Sequence, residues 1–205
     1  LAPAKFIPFR DTKAIARVRK IKRENIAKHR NPDFRISVVP DAELEFIWIT
    51  DMFFRIKAAM EAGQQFVAIM PNPWPGYAKL ASMLNRARVN CRNLHTFNMD
   101  EYADENGRIA PESWEFGFCH AFKKYFWAKL EPKLRPAEKQ VRIFTDKNLK
   151  DYGKMLADLG GADICYSGPG WTGHLAFIEP DAPEFAGSLA EWKKMGPRIC
   201  TLSPF

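Results

Sequence analysis

The 205-residue sequence has no apolar run approaching the ~20 residues that a membrane helix requires, which argues against a membrane-embedded protein. It has no CxxC pair. Cys91, Cys119, Cys165 and Cys200 stand far apart, which speaks against a zinc site or a dithiol motif and fits reduced thiols in a cytoplasmic protein; spacing alone leaves a disulfide open. There is no internal repeat and no low-complexity tract. The opening LAPAKFIPFRD lacks both the apolar core of a secretory signal and an initiator Met, and reads as a trimmed or partly covered chain.

What is present is globular. Hydrophobic residues make up 46% and charged residues 27%, enough to build one domain of ordinary size around a real core. The net charge of +7 suggests a polyanion partner until it is located. Residues 1–35 hold eleven Lys or Arg against three acids, a local +8, and the remaining 170 residues carry −1. The basicity belongs to an arm, 1–34. Within it Ile15, Val18, Ile21 and Ile26 fall near helical spacing, which predicts an amphipathic helix docked by its apolar stripe, on the body or on a sister subunit. Nucleic-acid binding is the lesser option, because no aromatics interleave with the cations to stack on bases.

Beyond the arm, short apolar runs alternate with segments of helical period. RISVVP (35–40), FVAIM (66–70), LHTFN (94–98), VRIF (141–144), ADICYS (162–167) and RICTL (198–202) predict strands. Helices are expected from Asp41, as cap, to about Met60 with Gly63 as stop, over about 77–88, within the aromatic stripe 111–130, and over about 147–159 before Gly160-Gly161. The alternation implies an α/β domain over 35–205, a doubly wound, mainly parallel sheet with helices on both faces. The stripe of Trp114, Phe118, Phe122, Phe126 and Trp127 is expected to be core.

In such a sheet the loops beyond the carboxyl ends of the strands carry chemistry. Three are unusual: PNPWPG after FVAIM, NMDEY after LHTF, and GPGWTGH after DICYS. Asp100 and Glu101 follow directly on an apolar strand, where carboxylates are either helix caps or functional groups; an aspartate needs a raised pKa to serve as a base near neutrality. Gly168, Gly170 and Gly173 allow close approach of a ligand to main-chain N–H groups. His174 is able to carry protons in either direction, and Glu179 to orient it; both also fit a structural turn. His29, His95 and His120 have no such setting. In PNPWPG three prolines remove donors and Trp74 adds bulk, so this loop suggests a rigid pocket wall, not a phosphate cradle.

Taken in order, RISVVPDAE (35–43), TFNMDEY (96–102), APESW (110–114) and GGADICYSGPGWTGHLAFIEP (160–180) resemble the glucosamine-6-phosphate deaminase/isomerase family, over about residues 35–185. The related 6-phosphogluconolactonases share the glycine-rich GH loop but usually have Arg in place of Tyr102 and lack the AFxEP continuation. The resemblance implies a Rossmann-type three-layer fold and a proton-transfer reaction on an amino-sugar phosphate, with no metal or organic cofactor. Asp100 then matches the base that moves a proton from C2 to C1, His174 the group that opens the pyranose ring, and Glu179 its support. Implied substrate contacts are Asn72, Pro73, Glu101, Gly168, Gly170, Trp171, Thr172 and Gly173. Thr172 replaces a family acid, Ile178 a family asparagine, and NPWPG the family's TGxTP phosphate loop; the family's last portion, with a lysine for the phosphate, lies beyond Phe205. The expected protein is a cytoplasmic homo-oligomer acting on a small sugar or sugar phosphate. The alternatives are a lactonase-like hydrolase and a catalytically silent sugar-binding or assembly protein of the same fold.

Overall fold

Five apolar residues without a charge need cover on both faces, and FVAIM forms the inner strand β1 (Phe66–Met70). In the computed structural model, which describes residues 11–71, 74–179 and 182–202, β1 pairs in parallel with β2 (Leu94–Asn98) on one side and with β4 (Ile164–Cys165) on the other. β3 (Val141–Arg142) adds beyond β2, so the order among the described residues is β3-β2-β1-β4, all parallel. The chain steps from β1 to β2 to β3 and then returns past β1 to lay down β4. The switch point of the sheet therefore lies between β1 and β4, where a doubly wound fold opens its binding crevice.

Alternation along the strands builds two layers. Ala68 and Met70 face Ile49, Met52, Phe53 and Ile56 of α2 (Asp41–Glu61), Leu80 and Leu84 of α3 (Tyr77–Arg86), and Phe122 of α4 (Phe118–Tyr125). Val67 and Phe97 point to the other face, onto Tyr152 of α5 (Tyr152–Ala157). The buried set of α2 repeats at steps of three and four, the stripe a helix needs against a sheet. Asp41 lies inside the first turn of α2, with Pro40 as the capping position, so its charge favours the helix through the macrodipole and not through a side-chain cap. Gly63, at φ 68, ends the helix as expected.

Three expected elements change. Residues 35–40 and 198–202 form no strand among the described residues. The 111–130 stripe yields only α4 and a single 3₁₀ turn, Trp127–Lys129, because successive turns at Pro111–Trp114 and Trp114–Gly117 delay the helix until Phe118. In the arm, α1 (Thr12–Val18) buries no residue, and Val18, Ile21 and Ile26 stay about half exposed. A short α6 (Leu189–Trp192) closes the described chain's helices, none of which is long and apolar enough to cross a membrane.

Candidate active site

The ladder between β1 and β2 runs on for one more bond, from Met99 N–H to the Met70 carbonyl, and so fixes where the next residue emerges. That residue, Asp100, is buried to 9% exposure at the carboxyl edge of the sheet. Burial, then the neighbouring Glu101 charge, pushes its carboxyl up to about 7. Glu101 beside it directs its charge at main-chain amides. Its oxygens accept from the N–H groups of Tyr102 (2.8 Å), Phe118 (3.0 Å) and Cys119 (2.7 Å). Glu101 thus caps α4 from a distance and anchors the loop that carries Asp100.

After β4 the glycine-rich loop folds back on itself. Gly170 N–H donates to the His174 carbonyl, and Gly173, at φ 86, donates to Gly170. The imidazole lies against Gly170: a methyl group there would sit 2.0 Å from Nε2, so no other residue permits this placement. Thr172, buried, donates its hydroxyl proton to Glu179 Oε2 and stands 3.0 Å from His174 Nδ1. Having one proton, that hydroxyl can only accept from the ring, and Glu179 Oε1 lies 3.3 Å from the same Nδ1. Both partners place the proton on Nδ1 and leave Nε2 with the lone pair. Gly168 and the largely exposed Trp171 stand apart from this cluster.

The next turn joins the two loops. Leu175 and Ile178 bridge across Ala176 and Phe177, both of which take left-handed φ (51 and 60). Left-handed non-glycine residues persist only where their surroundings hold them. Here the Phe177 ring packs on Phe118 and Tyr102, with ring centroids 5.5 and 5.4 Å away, while His174 touches its edge at 5.6 Å. Beside it opens a cavity of about 700 Å³, lined by Asp100 and the 101–109 loop, by Ala176–Ile178, and by the 195–202 segment. The last of these is the run expected to be a strand; it lines the pocket, held by Thr201 bonds to Glu184 and by the Cys200 thiol on the Phe177 carbonyl. His174 is not a lining residue, nor are Gly168, Gly170, Trp171, Thr172 or Gly173. Glu184 and Arg198, which do line it, have no motif around them that a reading of the sequence could use.

Of the loop after β1, Asn72 and Pro73 lie outside the described residues. Trp74 stacks on Trp48 of α2 (4.7 Å, 17°), and Trp48 in turn meets Tyr166, which follows β4. No group of three or more His, Cys, Asp or Glu side chains among the described residues is placed to hold a metal ion.

No family model matches the sequence. Curated relatives do: glucosamine-6-phosphate deaminase of Caenorhabditis elegans is 28% identical over 133 residues, 62% of this chain and 47% of that protein. The Clostridium beijerinckii deaminase is 30% identical over 105 residues, 51% of this chain and 42% of its own. Over roughly half its length the chain is similar to the glucosamine-6-phosphate deaminases. It spans about half the length of these relatives. Among solved structures, a monomeric glucosamine-6-phosphate deaminase superposes with a TM-score of 0.54 at 19% identity, covering 67% of this chain and 58% of the other. The 6-phosphogluconolactonase of Leishmania guyanensis gives 0.54 at 16%, covering 82% and 75%. Both share the Rossmann-like fold found here.

Proposed function

We propose that this protein converts an amino sugar from aldose to ketose and releases its amine, with Asp100 as the base. The observation that carries the reading is a buried carboxyl, pushed up to about 7, on the wall of a sugar-sized cavity at the carboxyl edge of the sheet. With the ring open, ionised Asp100 takes the proton from C2 and the electron pair passes to the C1 carbonyl, giving an enolamine. The same carboxyl returns a proton at C1, leaving a C2 imine, which water hydrolyses to ketone and ammonia. A base poised near neutrality exists in both states that this two-way transfer needs. His174 Nε2 is the group assigned to the ring oxygen, steered by Thr172 and Glu179 through Nδ1.

The test is a panel of aldoses and 2-amino sugars incubated in D₂O, reading C2 deuteration by NMR and ammonia by enzymatic assay. Exchange in the wild type and its loss in Asp100→Asn are expected. Exchange surviving that substitution would show that another group is the base. A second reading, a sugar-binding protein without turnover, has one observation on its side: His174 does not line the cavity that Asp100 lines. Binding without exchange across the panel would establish it.

A further inference from the structure

Resting on the reaction proposed above, we infer that the substrate of this site is an unphosphorylated amino sugar, and that Trp74 enforces the exclusion of phosphate.

The place where a doubly wound sheet holds phosphate is the N-terminus of the helix after β1, with free N–H groups and a positive dipole end at the switch point. In this chain that helix is α3, and its first amides are already taken. Tyr77 N–H donates to the Trp74 carbonyl (3.0 Å), Ala78 to Pro75 (3.1 Å), and Lys79 to Gly76 (2.9 Å). The indole of Trp74 then covers Gly76, where even a methyl group would lie 2.2 Å from the ring. The cover is itself held. Trp74 is stacked on Trp48 and meets Tyr77 edge-on at 5.5 Å, and Trp48 contacts Tyr166, whose hydroxyl donates to Asp51 at 2.7 Å. Aromatic side chains from α2, the β1 exit and the β4 exit thus pack together over the start of α3.

The cavity points the same way by its charge. Asp100, Glu101, Asp104, Glu105 and Glu184 line it, against Arg198 alone among the described residues. That guanidinium is engaged, donating to the Glu184 carbonyl (2.8 Å) and the Gly196 carbonyl (3.3 Å) while stacking on Phe185. Glu184 already accepts from the N–H and the hydroxyl of Thr201, at 3.1 Å each. Carboxylates on such a wall favour donors. Ammonium and hydroxyl groups donate; a phosphate dianion only accepts, and adds like charge to a wall of carboxylates.

The experiment measures binding apart from turnover. Glucosamine, glucosamine 6-phosphate and inorganic phosphate are titrated onto the full chain by calorimetry. The expected result is glucosamine binding at least about tenfold tighter than its 6-phosphate, with no heat from inorganic phosphate. In Trp74→Ala the 6-phosphate gains about tenfold or more and glucosamine is little changed, while Trp74→Phe keeps the exclusion. Tighter binding of the 6-phosphate to the wild type overturns the inference, as does binding of neither sugar or an unchanged preference in a folded Trp74→Ala. The reaction is judged separately by C2 exchange. Glucosamine bound but never deuterated sinks the reaction and leaves the phosphate exclusion standing, and a 6-phosphate both bound and deuterated does the reverse.

Discussion

Phe177 packs against Tyr102 with ring centroids 5.4 Å apart, and this contact joins the turn after His174 to the loop after Asp100. The turn pays in backbone strain for placing that ring. Ala176→Gly is expected to hold or raise the urea midpoint, because left-handed geometry is free for glycine and costs other residues about 1–2 kcal/mol. Phe177→Ala is expected to lose about 1–3 kcal/mol and the C2 exchange with it. A lower midpoint for Ala176→Gly would mean that the turn is not strained in solution.

Stability should depend on pH through Asp100. Its carboxyl titrates near 7 in the folded chain against 3.8 when unperturbed. Between those values the unfolded chain has released the proton and the folded chain has not, so stability falls as pH rises from about 4 to 7. The loss reaches at most about 4 kcal/mol above that range. Asp100→Asn removes this slope, and its advantage in thermal melts should grow with pH over the same window. Exchange activity runs opposite, rising with pH toward a plateau above about 7 as the base ionises. Parallel melting curves for the two proteins would refute the assignment.

Glu101→Gln separates support from chemistry. Removing the charge that caps α4 is expected to cost about 1–2 kcal/mol. Glu101 also helps to hold the Asp100 carboxyl high, so the midpoint of the activity profile should move to lower pH while turnover persists. Abolished turnover in a folded protein would make Glu101 a substrate contact after all.

Gly170→Ala and Thr172→Val both act on the imidazole, the first by displacing Nε2 and the second by removing a hydroxyl from Nδ1. Each should slow turnover of cyclic sugars by about tenfold or more, the scale of a lost general acid–base group, and spare C2 exchange on an open-chain amino aldehyde. Equal loss on both substrates would place His174 in the proton transfer at C2 or in the fold alone.

The parts of this protein that can be read in its residues are those that depend on short-range chemistry. The uncharged FVAIM run announces β1, the three-and-four spacing of Ile49, Met52, Phe53 and Ile56 announces α2, and the glycines before His174 announce a close approach of backbone and ring. What could not be read is pairing. RISVVP and RICTL have strand composition but pair with no strand among the described residues, and the second becomes a cavity wall. That Glu101 also caps α4 could not be read, because the amides it bonds, those of Phe118 and Cys119, lie 17 and 18 residues further on. Trp74 was legible only as bulk; that its ring covers the start of α3 depends on Trp48, contributed by a different element.

The order β3-β2-β1-β4 also sets a timetable for assembly. Phe66 finds Leu94 after a short loop through α3, whereas Val67 must wait for Asp163, 96 residues along, whose carboxylate and N–H grip its backbone. Closing the longer loop is the slower event. The carboxyl at position 100 is therefore seated with the first pair of strands to dock, and the imidazole arrives with the last. A refolding chain should therefore seat the Asp100 carboxyl before the His174 imidazole, and activity should be the final signal to recover.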